Sequence, residues 1–404
     1  MPVRSSPCAA DTPFFKPKLG SVGNWGHQMK LLVDENIPGA ERALRAFGEV
    51  RLMAGREIQR DSLSGIDALI VRSITRVDRA LLENTSVRFV GTATAGVDHV
   101  NQNDLLAMGM GFASAPGSNA DSVVDYVLAS LAVAFPDAPD LDGRTVGIIG
   151  CGEVGSRLLS RLRALRIEVM AYDPWLPQDR YRELTSLEQV LACDVLSLHV
   201  PLVSDGPHPT RHLLGANRLE QLGSDVLLIN AARGPVIDNR ALLDWLSKRP
   251  SAKVVLDTWE HEPAVNAELM ARCLIATPHI AGYAMDGKYR GLNDVVHAMA
   301  RFFAMPLAQP DVVLEPAGTL SLVGSRLGAD WQSACLSAYP IHEDDRRMRS
   351  MMASTTEEQA RRSGFDALRK RYPERREFSA WQIPGAALTA AERAALSGAG
   401  FSVV

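Results

Sequence analysis

The chain has 404 residues, of which 46% are hydrophobic and 22% charged, and its formal net charge is -4. This length exceeds the size at which one core keeps growing, so we expect two or three domains, and the composition excludes a mostly disordered chain. The slightly acidic balance offers no general basic surface, so neither a nucleic-acid nor a membrane partner is expected. Five scattered cysteines without a C-x-x-C spacing argue against a disulfide framework or a zinc site. The sequence therefore predicts a cytoplasmic protein without a bound metal.

The N-terminal segment, residues 1–28, is rich in Pro, Gly and Ser and has no hydrophobic periodicity. Met29 then opens an apolar run typical of a strand. We expect residues 1–28 to be a disordered extension without a function of its own.

Residues 29–117 alternate short apolar strands with helical patterns, which is typical of an α/β domain. The predicted strands are Leu31–Val33, Ala68–Val71, Phe89–Gly91 and Gly111–Ala113. A long helix from about Ser118 to Phe135 follows, and the chain is broken at Pro136 to Asp142.

Residues 118–286 contain a second α/β region. Its predicted strands are Thr145–Ile149, Ile167–Tyr172, Val195–Leu198, Val226–Asn230, Lys253–Leu256 and Leu274–Ala276. Six such strands predict a doubly wound parallel sheet. Residues 287–304 predict another helix, and the segment 287–306 is assigned to the first domain. A Pro-containing linker at 306–316 leads into residues 307–404, which we expect to be a third domain.

A glycine-rich turn follows the strand Thr145–Ile149 directly. It has the spacing G-x-G-x-x-G, with Gly150 for the tight turn, Gly152 for a close approach to a pyrophosphate, and Gly155 for helix packing. The next predicted helix is Val154 to Leu165, whose N-terminus suits an anion, and Glu153 and Val154 are further expected cofactor contacts. Asp173 ends the following strand, where a carboxylate accepts ribose hydroxyls and repels the extra phosphate of NADP, so NAD is the predicted cofactor. An alternative is that Asp173 only caps the turn before Pro174.

Three segments after predicted strands form a set of motifs: Ile229-Asn230-Ala231-Ala232-Arg233-Gly234, Leu256-Asp257-Thr258-Trp259-Glu260-His261-Glu262-Pro263 and Thr277-Pro278-His279-Ile280-Ala281-Gly282. In these segments the chain resembles the D-isomer specific 2-hydroxyacid dehydrogenases, and the resemblance covers most of residues 29–305. It implies a Rossmann NAD-binding domain and a flavodoxin-like substrate (lid) domain, with Arg233, Glu262 and His279 as catalytic residues. It also implies cofactor contacts from Ala231, Asp257 and Gly282, and from Val200 by its backbone alone. Asp257 at a strand end could equally accept from neighbouring backbone amides.

The chemistry of the three residue types supports this assignment. Oxidation of a 2-hydroxy acid removes the hydroxyl proton, and an imidazole oriented by a carboxylate suits that transfer. His279 and Glu262 are the expected pair. The planar guanidinium of Arg233 matches the substrate carboxylate. Taken singly, each residue could instead be an ordinary loop residue or a surface ion-pair partner.

A narrower resemblance, to family members acting on a phosphorylated four-carbon hydroxy acid, rests on the first domain and the tail. It is carried by Val33–Pro38, Val71–Thr75, Gly91–His99, Tyr339–Arg349, Phe365–Tyr372 and Glu374–Glu377. It implies substrate contacts from Ser73, Thr94 and Tyr283. The tail is implied to be a small α+β dimerisation domain, so we expect a homodimer whose tail lies away from the chemistry.

Two alternative functions stay open from the sequence. One is a sister enzyme acting on 3-phosphoglycerate or glycerate, and the other is an NAD-sensing corepressor, although we find no partner-docking motif. Arg72 is our candidate for the substrate phosphate, because a second cation must meet the far end of the substrate. It could instead form a structural ion pair. His208 and His212 have a metal-like spacing, but Pro209 between them favours a loop. The basic run 361–376 is interrupted by acidic residues and favours a solvated or interfacial face.

Overall fold

The computed structural model describes residues 28–136, 141, 143–307, 311–321 and 331–404. The extension expected at residues 1–28 therefore lies outside the described residues, except for residue 28. The described residues form two compact units. The first extends to Asn119 and resumes over Met285–Leu314, and the second comprises Ala120–Ala284 and Glu315–Val404.

The first unit contains a parallel five-stranded sheet. Its strands are β1 (Met29–Asp34), β2 (Gly48–Met53), β3 (Ala68–Val71), β4 (Phe89–Thr92) and β5 (Gly111–Ala113), in the order β2-β1-β3-β4-β5. This is the flavodoxin-like order. The helices are Ala40–Leu44, Arg79–Leu82, Gln102–Ala107 and Met285–Phe302. Leu292, Val295 and Met299 of the last helix pack against the buried residues of β1 and β3.

Strand β2 is absent from the sequence-based prediction. It lies at the edge of the sheet, and five of its six residues are half-buried or exposed, without a clean alternation. An edge strand buries little apolar surface, so the local hydrophobic pattern does not predict it.

The second unit contains a parallel six-stranded sheet. Its strands are β6 (Thr145–Ile149), β7 (Glu168–Tyr172), β8 (Val195–Leu198), β9 (Leu227–Asn230), β10 (Lys253–Leu256) and β11 (Ile275–Ala276), in the order β11-β10-β9-β8-β6-β7. The strand order reverses between β6 and β8, and ligands bind at such a switch point. The helices are Ala120–Ala134, Glu153–Ala164, Leu187–Leu191, Ala216–Leu219, Asn239–Lys248 and Ala267–Arg272.

The C-terminal tail packs within the second unit. Strands β12 (Gly318–Thr319), β13 (Trp381–Ile383) and β14 (Ser402–Val403) form a small parallel sheet, and the helices are Trp331–Ala338, Ile341–Ala353, Glu358–Lys370 and Ala390–Ala399. The mixture is the α+β arrangement expected of the tail. Trp331, Tyr339 and Phe378 share a core with the helix Ala120–Ala134, while Met348 and Phe365 join the core on the other face of the sheet.

No helix among the described residues combines the length and apolar character needed to cross a membrane. The four cysteines within the described ranges, Cys151, Cys193, Cys273 and Cys335, are free and buried.

Candidate active site

The glycine turn has the geometry that its spacing predicts. Gly150 has a φ of 93°, a left-handed conformation that favours glycine. A Cβ added at Gly155 would lie 1.9 Å from the carbonyl oxygen of Gly150, so only glycine lets the helix pack against the strand here. A Cβ at Gly152 would meet nothing within 4 Å, so the space in front of the turn is open. The helix Glu153–Ala164 begins at this space, and its free N–H groups, including those of Glu153 and Val154, suit a phosphate.

Asp173 lies one residue beyond β7 and is bound to the turn. Its Oδ2 accepts from the backbone N–H of Cys151 at 2.9 Å, and its Oδ1 accepts from the N–H of Trp175 at 3.0 Å. The carboxylate therefore lies beside the glycine turn and also caps its own loop. The two interpretations of Asp173 are compatible. Val200 follows β8 on the other side of the turn, with its Cγ1 2.8 Å from the Cβ position of Gly150.

Glu262 and His279 form a pair. The Nδ1 atom of His279 lies 2.8 Å from Oε2 of Glu262, and Oε1 accepts from the backbone N–H of Trp259 at 2.7 Å. Burial raises the pKa of Glu262. The charge and hydrogen bond of His279 and the N–H of Trp259 lower it by more than burial raises it, so the pKa lies below its usual value. An ionised Glu262 leaves the proton on Nδ1 and the Nε2 atom of His279 available for another partner.

The loop that carries His279 is held by Asp257. The Oδ1 atom of Asp257 accepts from Oγ1 of Thr277 and from the N–H of Ile280, both at 2.7 Å, and Oδ2 accepts from the N–H of Ala281 at 2.9 Å. Burial raises the pKa of Asp257, and His279 and these three hydrogen bonds oppose the rise. This is the alternative that the strand-end position left open for Asp257. A direct cofactor contact stays a prediction.

His279 has a φ of 57°, in the left-handed region that a residue with a side chain seldom adopts. Its N–H donates to the carbonyl oxygen of Asp257 at 2.8 Å. A residue in this conformation costs about 1–3 kcal/mol and persists where the surrounding structure fixes it. The hydrogen bonds that Asp257 accepts from the two residues after His279 provide that constraint.

Arg233 lies on a turn after β9 that Asn230 braces. The side chain of Asn230 accepts from the N–H of Ala232 at 3.1 Å and donates to the carbonyl oxygen of Arg233 at 3.0 Å. A Cβ at Gly234 would lie 2.0 Å from the backbone of Trp259, so this glycine brings the Arg233 turn against the segment that leads to Glu262. Ala231 is part of the same turn. The sequence did not predict this role of Asn230, although the residue lies in the same motif as Arg233.

Tyr283 follows Gly282 and contacts the tail. Its ring meets that of Tyr372 edge to face at 5.8 Å between centroids, and the guanidinium carbon of Arg369 lies 5.7 Å from its centroid. The buried Arg375 donates to the carbonyl oxygen of Ala281. The expectation that the tail lies away from the chemistry is therefore wrong, because the tail contacts the residues just after His279. The basic run is interfacial at Arg369 and Arg375.

The other predicted substrate residues lie in the first unit, at the carboxyl edge of its sheet. Ser73 is exposed in the turn after β3. Thr94 donates to the carbonyl oxygen of Gly96 at 2.9 Å. The Nε atom of Arg72 lies 3.2 Å from Oδ2 of Asp34, a fully buried carboxylate, and the Arg72 side chain is 25% exposed. Arg72 thus forms the structural ion pair that the sequence left open.

His208 and His212 contact different residues. The Nε2 atom of His212 lies 2.7 Å from Oε1 of Glu260, and His208 meets the ring of Trp175 edge to face. Within the part of the chain that the structure describes, no three His, Cys, Asp or Glu side chains are placed to hold a metal ion.

Comparisons with known proteins place this geometry among dehydrogenases. Residues 132–281 match the model of the D-isomer specific 2-hydroxyacid dehydrogenase NAD-binding domain, and residues 319–398 match a domain of unknown function. The chain is 46% identical to erythronate-4-phosphate dehydrogenase of Azotobacter vinelandii over 365 residues, which covers 88% of this chain and 94% of the relative. It is 44% identical to the protein of that name from Cellvibrio japonicus over 384 residues, covering 93% and 100%.

Solved structures show the same fold. D-lactate dehydrogenase of Aquifex aeolicus aligns with a TM-score of 0.58 and 22% identity, covering 68% of this chain and 95% of that one. The NAD-bound 3-phosphoglycerate dehydrogenase of Entamoeba histolytica aligns with a TM-score of 0.59 and 23% identity, covering 69% and 96%.

Proposed function

Because the chain belongs to the family of erythronate-4-phosphate dehydrogenases, we propose that it oxidises 4-phospho-D-erythronate at C2 with NAD as the hydride acceptor. The product is 2-oxo-3-hydroxy-4-phosphobutanoate, and the step belongs to the biosynthesis of pyridoxal 5'-phosphate. The observation that carries the proposal is the Glu262–His279 pair at 2.8 Å, in the same compact unit as the glycine turn.

The residues at the turn fit the proposed cofactor. Gly152 leaves room for a pyrophosphate, the helix behind it offers unpaired N–H groups, and Asp173 places a carboxylate beside the turn for the ribose hydroxyls. A carboxylate at this position disfavours the additional phosphate of NADP. When bound, NAD supplies the acceptor for the hydride that leaves C2.

The three catalytic residues have different tasks. The Nε2 atom of His279 takes the proton of the C2 hydroxyl, while Glu262 holds the ring through Nδ1 and stabilises the imidazolium that forms. Arg233 binds the substrate carboxylate with paired donors and stabilises negative charge on the C2 oxygen. The hydroxyls of Ser73, Thr94 and Tyr283 are suited to hydrogen bonds with the hydroxyl groups of the substrate. Arg72 is our candidate for the phosphate.

We also propose that the chain acts as a cytoplasmic homodimer without nucleic-acid or membrane partners, and that the tail, residues 307–404, holds the two copies together. Size-exclusion chromatography with light scattering tests the dimer directly. A monomeric, fully active enzyme would contradict it.

The substrate is tested with the purified full-length protein, NAD and a panel of 4-phospho-D-erythronate, 3-phospho-D-glycerate and D-glycerate. We expect the highest kcat/KM with 4-phosphoerythronate. Faster turnover of either three-carbon acid would replace the proposed substrate with that acid. Binding of NAD without turnover of any hydroxy acid would favour a sensor instead of an enzyme.

A further inference from the structure

Arg369 is a cation of the tail that the described chemistry does not use. It lies in the last turn of the helix Glu358–Lys370, and its guanidinium faces the rings of Tyr283 and Phe365, at 5.7 Å and 6.0 Å from their centroids. Its Nε atom is enclosed and has no hydrogen-bond partner among the described residues. Enclosing a guanidinium in this way is costly unless neighbouring groups compensate its charge.

The compensating groups belong to the candidate active site. Burial lowers the pKa of Arg369, but a side-chain hydrogen bond with Tyr283 and the charges of Glu262 and Asp257 raise it above the usual value. In the reverse direction, the charge of Arg369 is one of the causes that lower the pKa of Glu262. The tail therefore acts electrostatically on the carboxylate that orients His279.

Tyr283 is also held by the aromatic residues of the tail. Its ring meets Tyr372 edge to face at 5.8 Å, and the guanidinium carbon of Arg375 lies 5.9 Å from the Tyr372 centroid. Arg375 is buried and donates to the carbonyl oxygen of Ala281, two residues before Tyr283. The segment that follows His279 is thus bound by Asp257 and also contacted by the tail.

We propose that Arg369 is a positioning residue of the candidate active site: it fixes the Tyr283 ring beside the His279 loop and presents a positive charge to the Glu262–His279 pair. The proposal rests on the proposed function, in which Tyr283 contacts the substrate. It gives the tail a role in turnover besides any role in assembly.

The sign of the pH effect follows from the groups that face one another. Glu262, in the segment after β10, interacts with His279 of the loop after β11 and with Arg369 of the tail. Arg369 also interacts with Tyr283 and Asp257. Removing the cation favours the imidazolium over the neutral imidazole, and the imidazolium cannot take the proton of the C2 hydroxyl. The acid limb of the rate profile for oxidation therefore moves to higher pH.

The test compares the full-length wild type with R369M, R369K and K370M. Lys370 is the next residue of the same helix and is exposed, so K370M makes the same change of charge away from the site. The measurements are kcat and KM for 4-phosphoerythronate across pH, the Kd of NAD without substrate, and the melting temperature.

We expect R369M to lose on the order of 10- to 100-fold in kcat/KM, the effect of one charge-assisted contact. Its acid limb should move up by about one pH unit. R369K should keep the acid limb of the wild type, because lysine has the same charge. Its kcat/KM should lie between those of R369M and the wild type, because lysine lacks the planar fork. K370M should match the wild type, and NAD binding should be unchanged in all variants.

Two results would overturn the inference. One is an R369M profile that matches K370M in both kcat/KM and acid limb. The other is an R369M protein in which the lower kcat/KM is accompanied by weaker NAD binding and a lower melting temperature, which indicates a purely structural role. A wild type that oxidises a different hydroxy acid overturns the proposed substrate only, and the same four proteins are then compared on that acid.

Discussion

His279 uses only Nδ1 for its bond to Glu262, at 2.8 Å, so the Nε2 atom is the one that we propose takes the substrate proton. The same pair explains why the carboxylate is ionised at working pH. The pKa of Glu262 lies below its usual value, so the contribution of the pair to stability is present near neutrality and is lost as the pH falls through that lowered pKa.

His279→Ala and Arg233→Ala should each reduce kcat far more than they reduce the free energy of unfolding. Loss of general acid–base transfer alone costs about 100- to 10,000-fold. Steady-state rates and thermal melting of the same preparations check this. Variants that lose rate only in proportion to their folded fraction would contradict the catalytic assignment.

Glu262→Gln should cost less activity than His279→Ala, and it should move the acid limb of the oxidation profile to lower pH. The neutral amide no longer favours the imidazolium, so the imidazole is available as a base at lower pH. This shift is opposite in sign to the one expected for R369M. An unmoved limb would rule out the Glu262–His279 pairing as a working unit.

Asp173→Asn should weaken the preference for NAD over NADP, because the amide keeps an acceptor for the N–H of Cys151 but removes the charge that repels a 2'-phosphate. The ratio of kcat/KM with the two cofactors measures it. The melting temperature serves as the control for the turn. If the ratio stays the same, Asp173 is only a cap.

Arg72→Met should raise the KM for 4-phosphoerythronate by roughly 10- to 100-fold if Arg72 binds the phosphate, because one charge-assisted contact is lost. The variant also leaves the buried carboxylate of Asp34 without its cation, which costs about 3–5 kcal/mol of stability.

The double variant Arg72→Met, Asp34→Asn separates the two effects, because it removes the stranded charge. We expect it to recover melting temperature while the KM stays high and the Kd of NAD stays near that of the wild type. A KM that recovers together with stability would show that Arg72 only compensates Asp34.

At the scale of elements, the glycine turn joins a strand and a helix through three residues with different requirements. Gly150 needs a left-handed backbone, Gly155 needs close packing, and Gly152 has free space in front of it. Only the last of the three has room for a side chain in this structure. Gly150 and Gly155 are therefore required for folding, whereas Gly152 leaves space for the cofactor.

Gly152→Ala should fold with a melting temperature near that of the wild type but bind NAD more weakly, since its methyl group takes space that the pyrophosphate needs. Overpacking of about 1–3 kcal/mol corresponds to roughly a 5- to 150-fold rise in Kd. Gly155→Ala should instead lower the melting temperature, because its Cβ would lie 1.9 Å from the Gly150 oxygen. Calorimetry of both variants checks this, and unchanged NAD affinity in a folded Gly152→Ala would contradict the assignment of the turn.

For the whole molecule, the tail and the NAD-binding region share their cores. The helix Ala120–Ala134 has 13 of its 15 residues buried, which is typical of a helix covered on every side. Part of that cover is Trp331 and Tyr339 of the tail. We therefore expect that expressing the second unit without the tail exposes part of this core and destabilises the protein.

Ending the chain near Pro310 should yield a monomer or an aggregating protein. Truncation removes the proposed dimer contacts and exposes apolar surface of the helix Ala120–Ala134. Light scattering of the truncated and full-length proteins under the same conditions measures this. A well-behaved truncated dimer would contradict the role of the tail.

The sequence by itself determined the two α/β regions and the candidate catalytic residues. Buried parallel strands such as β3, β6, β8 and β10 are mainly apolar runs bounded by turn residues, so their bounds can be predicted from the local sequence. The glycine turn and the polar residues after β9, β10 and β11 follow from strand ends that share one edge of a sheet.

Only the tertiary structure decided the exposed edge strand β2, the Asp34–Arg72 pair and the packing of Arg369 and Arg375 around the segment after His279. Arg369 lies 86 residues beyond Tyr283 in the chain, and its helix has the charged composition of a solvated face. Periodicity reports which face of an element is apolar but not which distant element covers it. A cation that is covered, wholly or in part, by a distant segment of the chain therefore leaves no local signal.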